Sequence, residues 1–138
     1  AVTELFQEIA DKAARTADVP AVAAPSRASG EKIIWRVRLS DYDGEWETFE
    51  MTMRFISKTV KDAYARAERV SMDLCDPGDA VSVVGDRQCS VNVKRIASES
   101  SGYIMRTGHF YVIAKFRIKR RRTAPPNEYI GTADQEVM

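Results

Sequence analysis

The chain has 138 residues, 44% of them hydrophobic and 30% charged, with a formal net charge of +1. That length holds one well-packed core rather than two. The near-neutral balance argues against a dedicated non-specific nucleic-acid binder, which carries a basic excess, and no apolar run approaches the ~20 residues of a membrane span.

Residues 3–16 predict a helix: Leu5, Phe6, Ile9 and Ala13 form an apolar stripe, while Glu4, Glu8, Asp11 and Lys12 face outward. Thr3 suits the N-cap, and the acidic first turn complements the helix dipole. The stripe is narrow and alanine-rich, which suits a helix leaning on a sheet or a neighbouring chain. No basic-then-apolar leader pattern precedes it, so a soluble protein that stays where it is made is expected. Residues 17–30, ADVPAVAAPSRASG, carry two prolines and a closing glycine and read as an extended connector or surface loop.

KIIWRVRL, residues 32–39, alternates: Ile33, Trp35, Val37 and Leu39 point one way, Lys32, Arg36 and Arg38 the other, with Ile34 as the exception. Asp43-Gly44 is a strong hairpin signal, so residues 46–56 should return antiparallel. There Phe49, Met51, Met53 and Phe55 share one face; Thr48, Glu50, Thr52 and Arg54 share the other. The period then changes. Val60, Ala63, Tyr64, Ala67, Val70, Ser71 and Leu74 fall at helical spacing, Thr59 and Asp62 resemble a capping-box start, and Asp76-Pro77-Gly78 supplies a stop. A strand that runs straight into an amphipathic helix buries two apolar faces against each other. Each large side chain fully buried there contributes roughly 1.5–3 kcal/mol, and this unit is the predicted centre of the fold.

In residues 80–96, Val81 and Val83, then Cys89, Val91 and Val93, alternate around Gly85-Asp86, predicting a short strand, a tight turn and a longer strand. Residues 97–108, ASESSGYIMRTG, read as a loop or a ragged hairpin end. The last strand, 109–120, sets Phe110, Val112, Ala114, Phe116 and Ile118 on one face and Tyr111, Ile113, Lys115 and Arg117 on the other. Beyond it come a basic cluster, Pro-Pro and a polar acidic end, which predict a flexible tail at 121–138 after a single domain at 1–120. The order α-β-β-α-β-β with hairpin signals predicts an α+β fold, a two-layer sandwich with a mainly antiparallel sheet and both helices on one face.

The residues give no support to catalysis. His109 is the single histidine and opens a strand; Cys75 and Cys89 match no zinc spacing and read as reduced thiols; no glycine-rich phosphate loop is present. Of the cluster Asp41, Asp43 and Glu45, turn chemistry explains the aspartates, and three exposed carboxylates with no histidine make a poor metal site. No cofactor, metal or enzymatic activity is therefore expected. The run Lys119-Arg120-Arg121-Arg122 is either a contact for phosphate or an acidic protein surface, or a solubilising end to a hydrophobic strand. Arg36, Arg38, Arg54, Lys115 and Arg117 fall on outward positions of three strands, which raises the alternative of a small α+β nucleic-acid-binding domain. RNA-reading sheets place aromatics on that face for base stacking, and only Tyr111 is outward here, so direct nucleic-acid contact is not the favoured reading. The connector at 17–30 and the tail either pack on a neighbouring subunit or are disordered ends.

Taken together, FEMTMRFISKTVKDAYARAERVSMDL followed by GHFYVIAKFRIK resembles the tail-terminator family of long-tailed bacteriophages, gene product U-like, and the similar head–tail joining and minor capsid proteins. The likeness covers most of residues 3–120 and rests on pattern and size. It implies a structural virion protein, assembled in the host cytoplasm and placed at the head-proximal end of the tail. Six copies would form a ring that caps the tail tube, stops its growth and joins the head. The implied partners are other copies of the chain, the tail tube protein and a head–tail connector or adaptor, with no membrane. Such cyclic assembly needs head-to-tail interfaces that close. The family supplies no motif to transfer, so the candidate contact residues are local: Tyr42, Asp43 and Glu45 on the hairpin turn, Arg120, Arg121 and Arg122 in the basic cluster, and Tyr129 in the tail.

Overall fold

The computed structural model describes residues 2–26, 30–44, 46–74, 81–84 and 87–121. Along them the chain runs α1 (Val2–Ala17), β1 (Ala21–Ala23), β2 (Lys32–Tyr42), β3 (Trp46–Ser57), α2 (Val60–Leu74), β4 (Val81–Val84), β5 (Arg87–Ile104) and β6 (His109–Arg121). The strands form one six-stranded sheet in the order β1-β2-β3-β6-β5-β4. All neighbours are antiparallel except β1 and β2. Both helices cover one face, giving the expected two-layer α+β sandwich.

The division of labour between the layers follows from residue size. The helices present mostly small buried residues, Ala10, Ala13, Ala17, Ala63 and Ala67, which let their backbones approach the sheet. The sheet supplies bulk: Met51, Met53 and Phe55 on β3, and Val112, Phe116 and Ile118 on β6, are all buried. Across the central ladder Met53 stands opposite Ala114 and Met51 opposite Phe116, so volumes are shared between strands. Phe6 of α1 meets Phe49 edge-on, with ring centroids 4.9 Å apart. Thr16 of α1 donates its hydroxyl to the Asp73 carboxylate of α2 at 2.7 Å, tying the helices together.

The start of α2 agrees with its capping signal: the Asp62 amide donates to Thr59 Oγ1 at 3.1 Å. Just before it, Arg66 of α2 reaches back, donating to Ser57 Oγ at 2.7 Å and to Glu31 Oε2 at 3.1 Å. The Lys58 amide donates to the same Glu31 oxygen at 3.0 Å. These bonds hold the Glu31 carboxyl below its usual range, the Lys58 amide most strongly and Arg66 next.

Three expectations need correction. The connector at 17–30 contributes a strand: β1 pairs parallel with β2, Ala21 opposite Ile33 and Ala23 opposite Trp35. Its hold is backbone bonding, extended by Ile33 N–H to Pro20 O and Ala24 N–H to Trp35 O, both 2.8 Å, which side-chain patterning does not reveal. Residues 97–104, read as a loop or a ragged hairpin end, continue β5 as a full strand of the hairpin, with an irregularity between Ile96 and Glu99. The partner β6 is a strong strand former and templates these polar residues through the main chain. Leu39, assigned to the core face, is 56% exposed: it lies on β2 past the pairing with β1, and α1 packs on its cross-strand neighbour Phe49 instead. The stop at 75–80, the turn at Gly85-Asp86 and the tail from Arg122 onward lie outside the described residues.

Gly102 has a specific task within the extended β5. It stands opposite Tyr111, and a Cβ built there would collide with the phenol end of Tyr111, its hydroxyl and Cζ first, with Cε2 2.7 Å away. The same ring sits 4.9 Å beneath the Arg54 guanidinium. Gly102→Ala should therefore dislodge the ring from both contacts and cost about 1 kcal/mol in thermal unfolding. The double variant G102A/Y111A should be no less stable than Y111A alone. Additive losses would mean the glycine serves its own backbone and not the ring.

Candidate interaction surfaces

Alternation along the strands sorts the charges. The face without helices carries Lys32, Arg36 and Arg38 on β2, Arg54 on β3, Lys115, Arg117 and Lys119 on β6, and Lys94 on β5. Among the described residues only Glu50 and Asp41 bring carboxylates to that face. Glu50 is engaged by Arg38, whose Nε lies 3.0 Å from Oε1. Arg117 stands between Glu50 and Lys94 in the cross-strand register, and Lys115 between Thr52 and Ile96. Like charges directly opposite one another destabilise a sheet, so the Arg117–Lys94 pair is not there for the fold. On this face Ala24, Pro25 and Ser26 line a cleft of about 260 Å³ together with Ile34, Arg36, Thr52, Arg54 and Ile113. Ile34, the exception to its strand's pattern, is thereby half-buried.

The structure also brings together two groups that are far apart in sequence. In register, Tyr42 faces Glu47, Glu47 faces Arg120 and Trp46 faces Arg121. The β2–β3 turn and the basic cluster thus share one end of the sheet. Tyr42 is 47% exposed there, beside the exposed Leu39. Asp43 shapes the turn: its Oδ1 accepts from the Trp46 amide at 2.8 Å, and Gly44 follows with φ +89°. Arg120 is already engaged. Alternation sends it to the helix side, where its Nε lies 3.2 Å from Glu47 Oε1 and its Nη2 2.5 Å, both side chains less than one-fifth exposed. Glu45, Arg122 and Tyr129 lie outside the described residues.

Sequence reasoning missed two cations of the bare face, Lys94 and Lys119, although both fit the alternation of their strands. It also missed an apolar tip at the opposite end, where Tyr103 and Met105 are exposed and Tyr103 tilts against Phe110 at 4.8 Å between centroids. Two strand edges are open among the described residues: β2 beyond its pairing with β1, residues 36–42, and β5 beyond its pairing with β4, residues 91–104. Open edges present unpaired backbone groups that template association.

His109 is bound locally, its Nδ1 3.0 Å from the Thr107 carbonyl oxygen. Among the described residues no three His, Cys, Asp or Glu side chains gather at metal-binding distance, and no helix is long and apolar enough to cross a membrane. What the geometry does define is an α+β domain whose developed features are surfaces: a bare cationic sheet face, a polar hairpin end and two open edges.

No protein-family model matches this sequence, and no curated protein matches it. Among solved structures, the fold is similar to a chain from the virion of a native gene transfer agent particle. The superposition has a TM-score of 0.56 at 14% identity and covers 80% of this chain and 84% of that one. At that identity the likeness is one of fold.

Proposed function

We propose that this chain is a structural virion protein of the tail-terminator type, whose copies close into a ring that caps the tail tube, halts its growth and presents the opposite face to the head. The observation that carries this reading is the likeness of fold, over most of both chains, to a component of a gene transfer agent virion. The open edges at 36–42 and 91–104 support it. They lie on different sides of the sheet, so pairing one with the other is heterologous, the kind of contact that generates rings. The hairpin end, where Tyr42 and Asp43 lie near Arg120, is the surface we assign to the adjoining tube or connector protein, with Glu45, Arg121, Arg122 and Tyr129 taken as further contact residues. Such a role works through shape and charge complementarity and asks for no reactive group.

The test is the mass of the purified protein by light scattering, with negative-stain images of the main species. A closed ring near six times the 15.5 kDa of one chain is expected, free or on added tail tubes. A strict monomer that neither caps tubes nor limits their length would overturn the reading. Within it, R121E/R122E should abolish head joining while leaving the domain folded. Arg120 is left in place because a glutamate there would face Glu47 and unsettle the sheet end.

A further inference from the structure

We propose that the bare sheet face binds the sugar-phosphate backbone of double-stranded DNA without reading its sequence. The proposal concerns the domain itself and holds whether or not copies assemble into a ring. Three observations carry it. The first is charge: eight lysines and arginines against two carboxylates occupy this face among the described residues, although the whole chain is only +1. The second is that the fold compensates only part of this charge: Arg38 holds Glu50 and Arg54 lies over Tyr111, while Arg117 shares Glu50 with Arg38. Arg117 faces Lys94 across the ladder, and Lys115 has neither carboxylate nor hydroxyl beyond Thr52 in its row. An arrangement that costs stability in isolation gains when a polyanion lies over it.

The third observation is spacing. Lys115, Arg117 and Lys119 follow one another at alternate positions of β6, and alternate residues of a strand are roughly 6.8 Å apart. That is about two steps of the ~3.4 Å at which charges repeat along each strand of a duplex. Base reading is not on offer. Two aromatics take outward register positions, Tyr111, which is occupied between Gly102 and Arg54, and Trp46, half-buried at the other end of β3. The expectation against nucleic-acid contact rested on this shortage of aromatics, and it applies to single strands and stacking rather than to duplex phosphates.

The experiment is fluorescence anisotropy of a labelled duplex of about 30 base pairs of arbitrary sequence, titrated with the full chain at several salt concentrations. If five cations reach phosphates, log K should fall against log salt with a slope of about −4.5. K94T/K115T/R117T should weaken binding roughly tenfold or more and flatten the slope by about 2.7. R15Q/K61Q/R69Q, which removes the same charge from exposed helix positions, should leave both unchanged. R117K should bind like the parent, and a circular-dichroism melt should find the threonine variant at least as stable as the parent. No binding at low salt would overturn the proposal, as would equal losses in the two triple variants. So would displacement of DNA by polyglutamate at equal charge concentration, which would make the partner an acidic protein surface.

Discussion

Phe116→Ala should remove about 3–5 kcal/mol from the unfolding free energy, the largest single-residue effect in the domain. Phe116 is fully buried on β6, between Met51 of β3 and Arg95 of β5 in the ladder. The Arg95 guanidinium lies 5.9 Å over its ring, and Arg95 Nη1 also donates to Ser71 of α2. The side chain is therefore a joint between three strands and a helix, and no single neighbour can move in to fill its place. With domains of this size stable by about 5–15 kcal/mol, the variant would sit at the margin of folding. Urea unfolding should show the midpoint falling with the slope preserved. Phe116→Leu, which keeps most of the volume, should cost less than about 1.5 kcal/mol. A loss below about 1 kcal/mol for the alanine variant would mean that α2 is not seated on β6.

Arg66→Ala should cost about 1–3 kcal/mol, by a different route. Ser57 is wholly buried at the end of β3, and Arg66 is the donor to its hydroxyl. Removing the guanidinium strips that oxygen of its partner and leaves Glu31 with the Lys58 amide alone. The pH dependence identifies the Glu31 part. Its folded carboxyl is held below the ordinary 4.5, so the stabilisation it brings is present above that value and is lost as pH falls below it, through the folded value. Glu31→Gln should thus lower stability at neutral pH and flatten the decline below about pH 4.5. In the double variant R66A/E31Q the two losses should fall short of additive by more than about 0.5 kcal/mol. Simple additivity would place the two residues in separate interactions.

The parts of the fold legible in sequence are those held by side chains. The alternation of Phe49, Met51, Met53 and Phe55, the helical spacing of Ala63, Ala67 and Val70, and the split faces of β6 all became the buried core. What escaped was held by main chain: β1, with its Ala-Val-Ala, and the serine-rich half of β5 satisfy backbone groups against stronger neighbours and carry no pattern of their own. Surfaces were legible only in outline. Six of the eight cations on the bare face, among the described residues, were placed by strand parity, but their significance depended on both helices lying on the other side. The basic run was misleading as a unit. A strand alternates, so Lys119 goes to the bare face while Arg120 turns to the helix side and Glu47, and adjacent charges part company.

The position of β6 between β3 and β5 has a consequence for how the molecule comes into being. β2, β3 and α2 are neighbours in sequence, and their pairings close after a short loop. The central ladder is different: it joins Ser57 to Phe110 and Trp46 to Arg121, contacts that span half the chain. Closing so long a segment is slow. Until the β5–β6 hairpin arrives, one edge of β3 waits unpaired beside methionines and phenylalanines already gathered under α2. During synthesis that edge is the molecule's most vulnerable surface, able to accept a strand from another unfinished copy as readily as its own. Yield from the ribosome should accordingly depend on how quickly residues 87–121 are delivered, more than on the stability of the finished domain.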